Sequence, residues 1–197
     1  MEENPRKGNA FKYIAYVLIA AAVIGFGIYF LTPKKLTAAE GKNVLLFVQN
    51  KIVDIDRNLK SDMSKQDIAT RLSWHKSNTS LFNEVKGSKD KVIEPQIDIL
   101  EKKIIEVQTK EFPELRTTYV ESKKEVLGGQ KIDIAVSGPR QDTLTFKGDL
   151  FANEKTKDAF FANIKPIIQD LRFKKVVYQW SRKETTNKVR AKKDDEI

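Results

Sequence analysis

The pair Gly128-Gly129 divides the sequence into two regimes of hydrophobic spacing, and this switch limits the possible folds more than any other feature. Upstream of it, apolar side chains recur every three or four positions, the repeat that gathers them on one side of a helix. Downstream they alternate with polar residues, as in a strand with one buried face. Helices first and strands after place the chain in the α+β class.

Three helical stretches precede the switch. Residues 38–60 carry Val44, Leu45, Phe47, Val48, Ile52, Ile55 and Leu59 on one broad side. Ser64-Lys65-Gln66-Asp67 reads as a helix cap with a carboxylate three positions on, opening a second helix through Ile68 and Leu72. It runs on through Leu81, Phe82 and Val85, with a break near Ser77 to Thr79 as one option. Pro95 suits the first turn of a third helix, whose apolar face is Ile93, Ile97, Leu100, Ile104 and Val107, resuming at Leu115, Tyr119 and Val126. Pro113 interrupts this pattern, so the segment is either one helix kinked near Phe112 or two helices, stopped by the glycine pair.

After the switch, Ile132, Ile134 and Val136 alternate with polar or small residues, and Leu144 and Phe146 do the same. The link Ser137-Gly138-Pro139-Arg140-Gln141 is rich in turn formers, which predicts an antiparallel hairpin. Asn153 caps a helix reaching about Asp170 that buries Ala159, Phe160, Ile164, Ile167, Ile168 and Leu171. A last strand carries Val176, Tyr178 and Trp180 on one side, completing a three-stranded ββαβ sheet packed by helices on one face and open to water on the other. Residues 182–197 are charged and aperiodic and read as a disordered tail.

Ahead of the helices, Tyr13 to Leu31 is an uncharged apolar run of 19 residues. As a helix it would span about 28 Å, the thickness of a bilayer core. It is longer than the apolar part of a secretory signal and ends in Pro33-Lys34-Lys35, which favours a permanent single transmembrane helix over a cleaved leader. Basic residues flank it on both sides, so orientation rests on the look of a bacterial signal anchor that exports the domain C-terminal to it. The organisation read from the sequence is a tail (1–12), a transmembrane anchor in the lipid bilayer (13–31), a linker and stem helix (32–60), an α+β domain (61–181) and the charged tail (182–197).

The chain has no cysteine, which removes thiolate metal sites, disulfides and cysteine nucleophiles together. Its net charge is +9, but beyond the first 35 residues the two signs nearly balance and intermix, the pattern of a solvated surface. The single histidine, His75, lacks the partners a zinc or nucleophile site needs and is expected at the surface or partly packed. Asp54, Asp56 and Asn58 imitate the start of a calcium loop, but Leu59 stands where glycine is required and Lys65 where glutamate is. Glycine-rich phosphate loops are absent from the sequence. Neither catalytic residues, a cofactor nor a metal ion is expected on this reading.

These features lead to an expectation of binding without catalysis: a single-pass membrane protein with an extracytoplasmic scaffold domain, periplasmic in a bacterium, working in an envelope complex. Its partner surface would be Val44, Leu45, Phe47, Val48 and Ile52 on the stem helix, facing a protein partner or a second copy of the chain. One alternative is a membrane-associated enzyme or ligand-binding domain whose site is assembled from dispersed polar residues. Another is a cytoplasmic domain touching RNA or anionic lipid through Lys174, Lys175, Lys188 and Arg190. Nucleic acid is the less favoured partner, because Tyr178 and Trp180 share a face with Val176 and are better explained as core.

Overall fold

The computed structural model describes residues 38–60 and 66–197. Among these residues four helices and a four-stranded sheet occur in the order α1 (Ala38–Lys60), α2 (Ile68–Val85), α3 (Glu94–Gly128), β1 (Asp133–Ser137), β2 (Thr143–Lys147), α4 (Glu154–Asp170), β3 (Lys175–Trp180) and β4 (Lys183–Lys188). A single 3-10 turn, Asp149–Ala152, links β2 to α4.

The start of α2 is fixed by Asp67, whose carboxylate accepts from the Thr70 amide at 2.9 Å and the Thr70 hydroxyl at 2.6 Å. The helix runs unbroken through Ser77 to Thr79. Pro113 does not divide α3 either, and Pro95 sits in its first turn as the sequence predicts. At 35 residues α3 is about 52 Å long and serves two cores. Its first half packs with α1 and α2 around Val48, Ile55, Leu81, Phe82, Leu100 and Ile104. Its second half packs on the sheet and α4 around Leu115, Tyr119, Ile134, Phe146, Phe151 and Tyr178.

In the sheet the strands lie in chain order, with β2 and β3 parallel and the two outer pairs antiparallel. The register stacks Ile134, Phe146, Tyr178 and Thr185 in one row, and Val136, Leu144, Val176 and Asn187 in the next. This is the face that the helices cover. The α4 crossover has Asn153 as its cap, accepting from the Thr156 amide at 3.1 Å.

Three expectations need correction. The sheet has four strands and not three, because Lys183–Lys188, placed in the disordered tail by the sequence, pairs antiparallel with β3. An unpaired β3 edge would leave its ladder groups open, and β4 satisfies them. The stretch beyond β4 is also engaged: the Val189 amide donates to the Lys174 carbonyl at 2.9 Å, and Ile197 packs against the helical core. Second, Val126 of α3 and Ala159 of α4, both expected on apolar faces, are exposed.

The third correction concerns the membrane. Among the described residues no helix is long and apolar enough to cross a bilayer. The expected span over 13–31 lies outside the described residues. The single-pass membrane localisation, the signal anchor and the periplasmic placement derived from it are therefore withdrawn.

Candidate ligand-binding cleft

Helix α2 turns an unusual set of side chains inward. Arg71, His75 and Asn78 lie at helical spacing on its inner side, and all three are buried. They face α3, where Glu111 is buried as well. His75 Nε2 is 3.0 Å from Glu111 Oε2. An Arg71 terminal nitrogen lies 4.0 Å from Glu111 and 3.5 Å from Glu114, so the guanidinium is held by charge rather than by hydrogen bonds. A carboxylate can only accept, so Nε2–H donates to Glu111, which fixes the orientation of the ring and leaves Nδ1 as its second polar atom.

That second ring nitrogen has no hydrogen-bond partner, although His75 is only 3% exposed. Unsatisfied buried polar atoms are uncommon in native proteins because each costs desolvation without a return. Here the residue lines a cleft of about 440 Å³, within the range of small-molecule sites. Phe112 forms the floor beside it, with the two ring centroids 5.0 Å apart.

The opposite wall comes from the turn after α4 and from the C-terminal segment. Arg172, in left-handed backbone conformation with φ 57°, lays its guanidinium over Phe112 at 4.4 Å. Its Nη1 donates to Gln108 Oε1 at 3.2 Å and to the carbonyls of Lys193 at 2.7 Å and Glu196 at 2.9 Å. Burial pulls the Arg172 pKa below its ordinary value, the neighbouring Asp194 and Glu196 carboxylates oppose this, and Arg116 adds to it. Guanidinium still remains charged at any ordinary pH. Lys192 lines the same wall.

At one end the cleft is bounded by Lys76 and Asp170, joined at 2.8 Å across the gap between α2 and α4. Lys76, Arg172 and Lys192 outnumber the one carboxylate, Asp170, so the cleft carries an excess of positive charge. Thr79, Ser80 and Asn83 add hydroxyl and amide groups along α2. Such a site can hold a small anion and orient it. Among the described residues no hydroxyl is hydrogen-bonded to His75, so the side chains are not arranged as a nucleophile and its base. Among the same residues no group of His, Asp and Glu is clustered to hold a metal ion.

The residues singled out from the sequence lie elsewhere. On α1, Val48 is fully buried, Val44, Leu45 and Ile52 pack partly against the helical core, and only Phe47 stands out, 45% exposed. Lys174 donates to the carbonyls of Ala191 at 2.7 Å and Lys192 at 2.6 Å, which makes it a brace for the C-terminal segment. Lys175 and Lys188 face each other across β3 and β4 on the uncovered side of the sheet, and Arg190 is exposed beyond them. None of the four basic residues lines the cleft. Tyr178 is fully buried and stacks on Phe146, as its face predicted. In the calcium-loop imitation, Asp56 instead pairs with Lys103 at 2.7 Å and Asn58 donates to the Asp54 carbonyl at 3.0 Å.

His75, Arg172 and Lys192 were not singled out as a site by the sequence. One signal was present: Ile68, Leu72, His75, Thr79 and Phe82 recur at steps of four and three, so a histidine occupies an apolar stripe. Compared with protein-family models, with curated proteins and with solved structures, the chain shows no significant match to any.

Proposed function

We propose that this chain is a ligand-binding domain that holds a small anion in the cleft between α2, the Arg172 turn and the C-terminal segment. The observation that carries the reading is the buried, Glu111-oriented His75, which lines a cleft together with Arg172 and Lys192 and keeps one ring nitrogen without a hydrogen-bond partner. Positive charge supplies attraction, and the oriented ring with Thr79 and Asn83 supplies directional polar groups. The test is a titration of the full chain with butanoate, following backbone amide resonances. Saturable shifts should concentrate at residues 75–83, at Arg172 and at Lys192, and Lys192→Glu should weaken them. Shifts spread evenly over surface lysines, or none at all, would defeat the reading.

A second reading, a protein-binding scaffold, draws support from α1. Leu46 at 48%, Phe47 at 45% and Val53 at 56% leave apolar surface on its outer side. Photo-crosslinking from position 47 in cells tests it: discrete protein adducts would favour this reading, and their absence would remove it.

A further inference from the structure

On the other side of the Lys76–Asp170 pair lies a second, larger groove of about 690 Å³ between α2 and α4. Its walls are Ile68 and Leu72 on one side and Ile164 and Ile167 on the other, with Tyr119 of α3 as the floor. The two cavities share Leu72, Lys76 and Asp170. The exposed Lys76–Asp170 pair and Leu72 therefore stand between the cationic pocket and this groove, whose aliphatic walls are rimmed by Ser73, Ser122, Lys123 and Asn163. Pairs of this kind are held weakly because water screens them, and a lysine stem covers apolar surface while its charged end changes partner freely.

From this adjacency, across a weak ion pair whose lysine can change partner, we infer that the ligand is an amphiphile, a single-chain long alkyl carboxylate. Its head group sits among Arg172, Lys192 and His75, and its chain passes under Lys76 into the groove floored by Tyr119. The inference rests on the anion reading of the cleft and deepens it by naming the ligand class. Charge complementarity selects the occupant: an uncharged hydrocarbon would leave the cationic end unused, and a cationic amphiphile would be repelled there. The aliphatic side chains facing each other across the groove match an extended chain, whose burial strengthens binding with every methylene removed from water.

The experiment compares dodecanoate with butanoate on the full chain, using free ligand below the micelle concentration, with dodecyltrimethylammonium as the charge-reversed probe. Dodecanoate should bind roughly tenfold or more tightly than butanoate, given the gain per buried methylene. Ile167→Asn should abolish that difference while sparing butanoate, and Lys192→Glu should weaken both carboxylates. Dodecyltrimethylammonium should bind more weakly than dodecanoate. Equal affinity for the two carboxylates would overturn this inference and leave the anion reading intact, the groove then serving another occupant such as an apolar protein segment. Equal binding of the two dodecyl probes would overturn it as well, showing that charge does not select. Binding of neither carboxylate would remove the anion reading and this inference together.

Discussion

Arg116 and Asp194 lie 78 residues apart in the chain and meet as a buried forked pair, with Arg116 Nη1 3.0 Å from one carboxylate oxygen and Nη2 on the other. The same guanidinium donates to the carbonyls of Leu171 at 2.8 Å, Arg140 at 2.7 Å and Arg172 at 3.2 Å. One α3 side chain thus fixes the hairpin turn, the turn after α4 and the C-terminal segment. Since Lys192 and Arg172 line the cleft, the pair also sets one wall of the proposed site.

Asp194→Ala leaves this guanidinium buried without its counter-ion. A loss of about 3–5 kcal/mol is expected, which urea denaturation would measure. A single-variant cost below about 1 kcal/mol would mean that the segment is not latched in solution.

Glu111 plays the corresponding part beneath the cleft. Glu111→Ala removes the acceptor for His75 and the more buried of the two carboxylates beside Arg71. Destabilisation of about 1–3 kcal/mol is expected, because His75 loses its acceptor and the buried guanidinium keeps only the half-exposed Glu114 carboxylate. Adding Arg71→Met should recover part of it, and a double-mutant cycle would give a coupling of about 0.5–3 kcal/mol. Strict additivity would contradict the arrangement.

On α1 the core and surface sides separate sharply. Ile55→Ala should cost about 2–5 kcal/mol, since Ile55 is fully buried between helices. Phe47→Ser should change stability by no more than about 0.5 kcal/mol. Thermal unfolding of the two variants distinguishes this from a helix that faces a partner with its whole apolar stripe.

Asp67 gives stability a pH dependence with a definite sign. Hydrogen bonds from the Thr70 side chain and then its amide hold the Asp67 carboxyl below its ordinary value of 3.8. A group with a depressed folded pKa stabilises the fold above its unfolded value, and the contribution is lost as pH falls through the folded value. Urea midpoints of wild type should therefore fall on acidification more than those of Asp67→Asn, which keeps the cap but does not titrate. Parallel curves would show that the cap contributes nothing through charge.

The sequence made the helices, the hairpin and the crossover legible because their burial is written in apolar periodicity. Ile134, Phe146 and Tyr178 announce a shared face by alternation alone. Strand β4 was hidden since its inward residues are Thr185 and Asn187, polar side chains that sit across from Tyr178 and Val176 at the sheet edge. The C-terminal segment was hidden for another reason: it is held by Arg116, Arg172 and Lys174 through charge and backbone carbonyls, which leave no hydrophobic pattern. The cleft shares that property. His75 stands on a stripe where the pattern calls for leucine, and only the buried Glu111 opposite explains it.

Because His75 is the sole histidine, its imidazole gives a unique nitrogen signal in the intact protein. The decisive measurement is that ring signal during a butanoate titration of the wild type and of Lys192→Glu. Saturable displacement of the ring resonances in wild type, on the same curve as the Arg172 and Lys192 amides and weakened in the variant, is the predicted result. A ring signal that stays fixed while butanoate reaches saturation elsewhere would contradict the assignment of the cleft as the binding site.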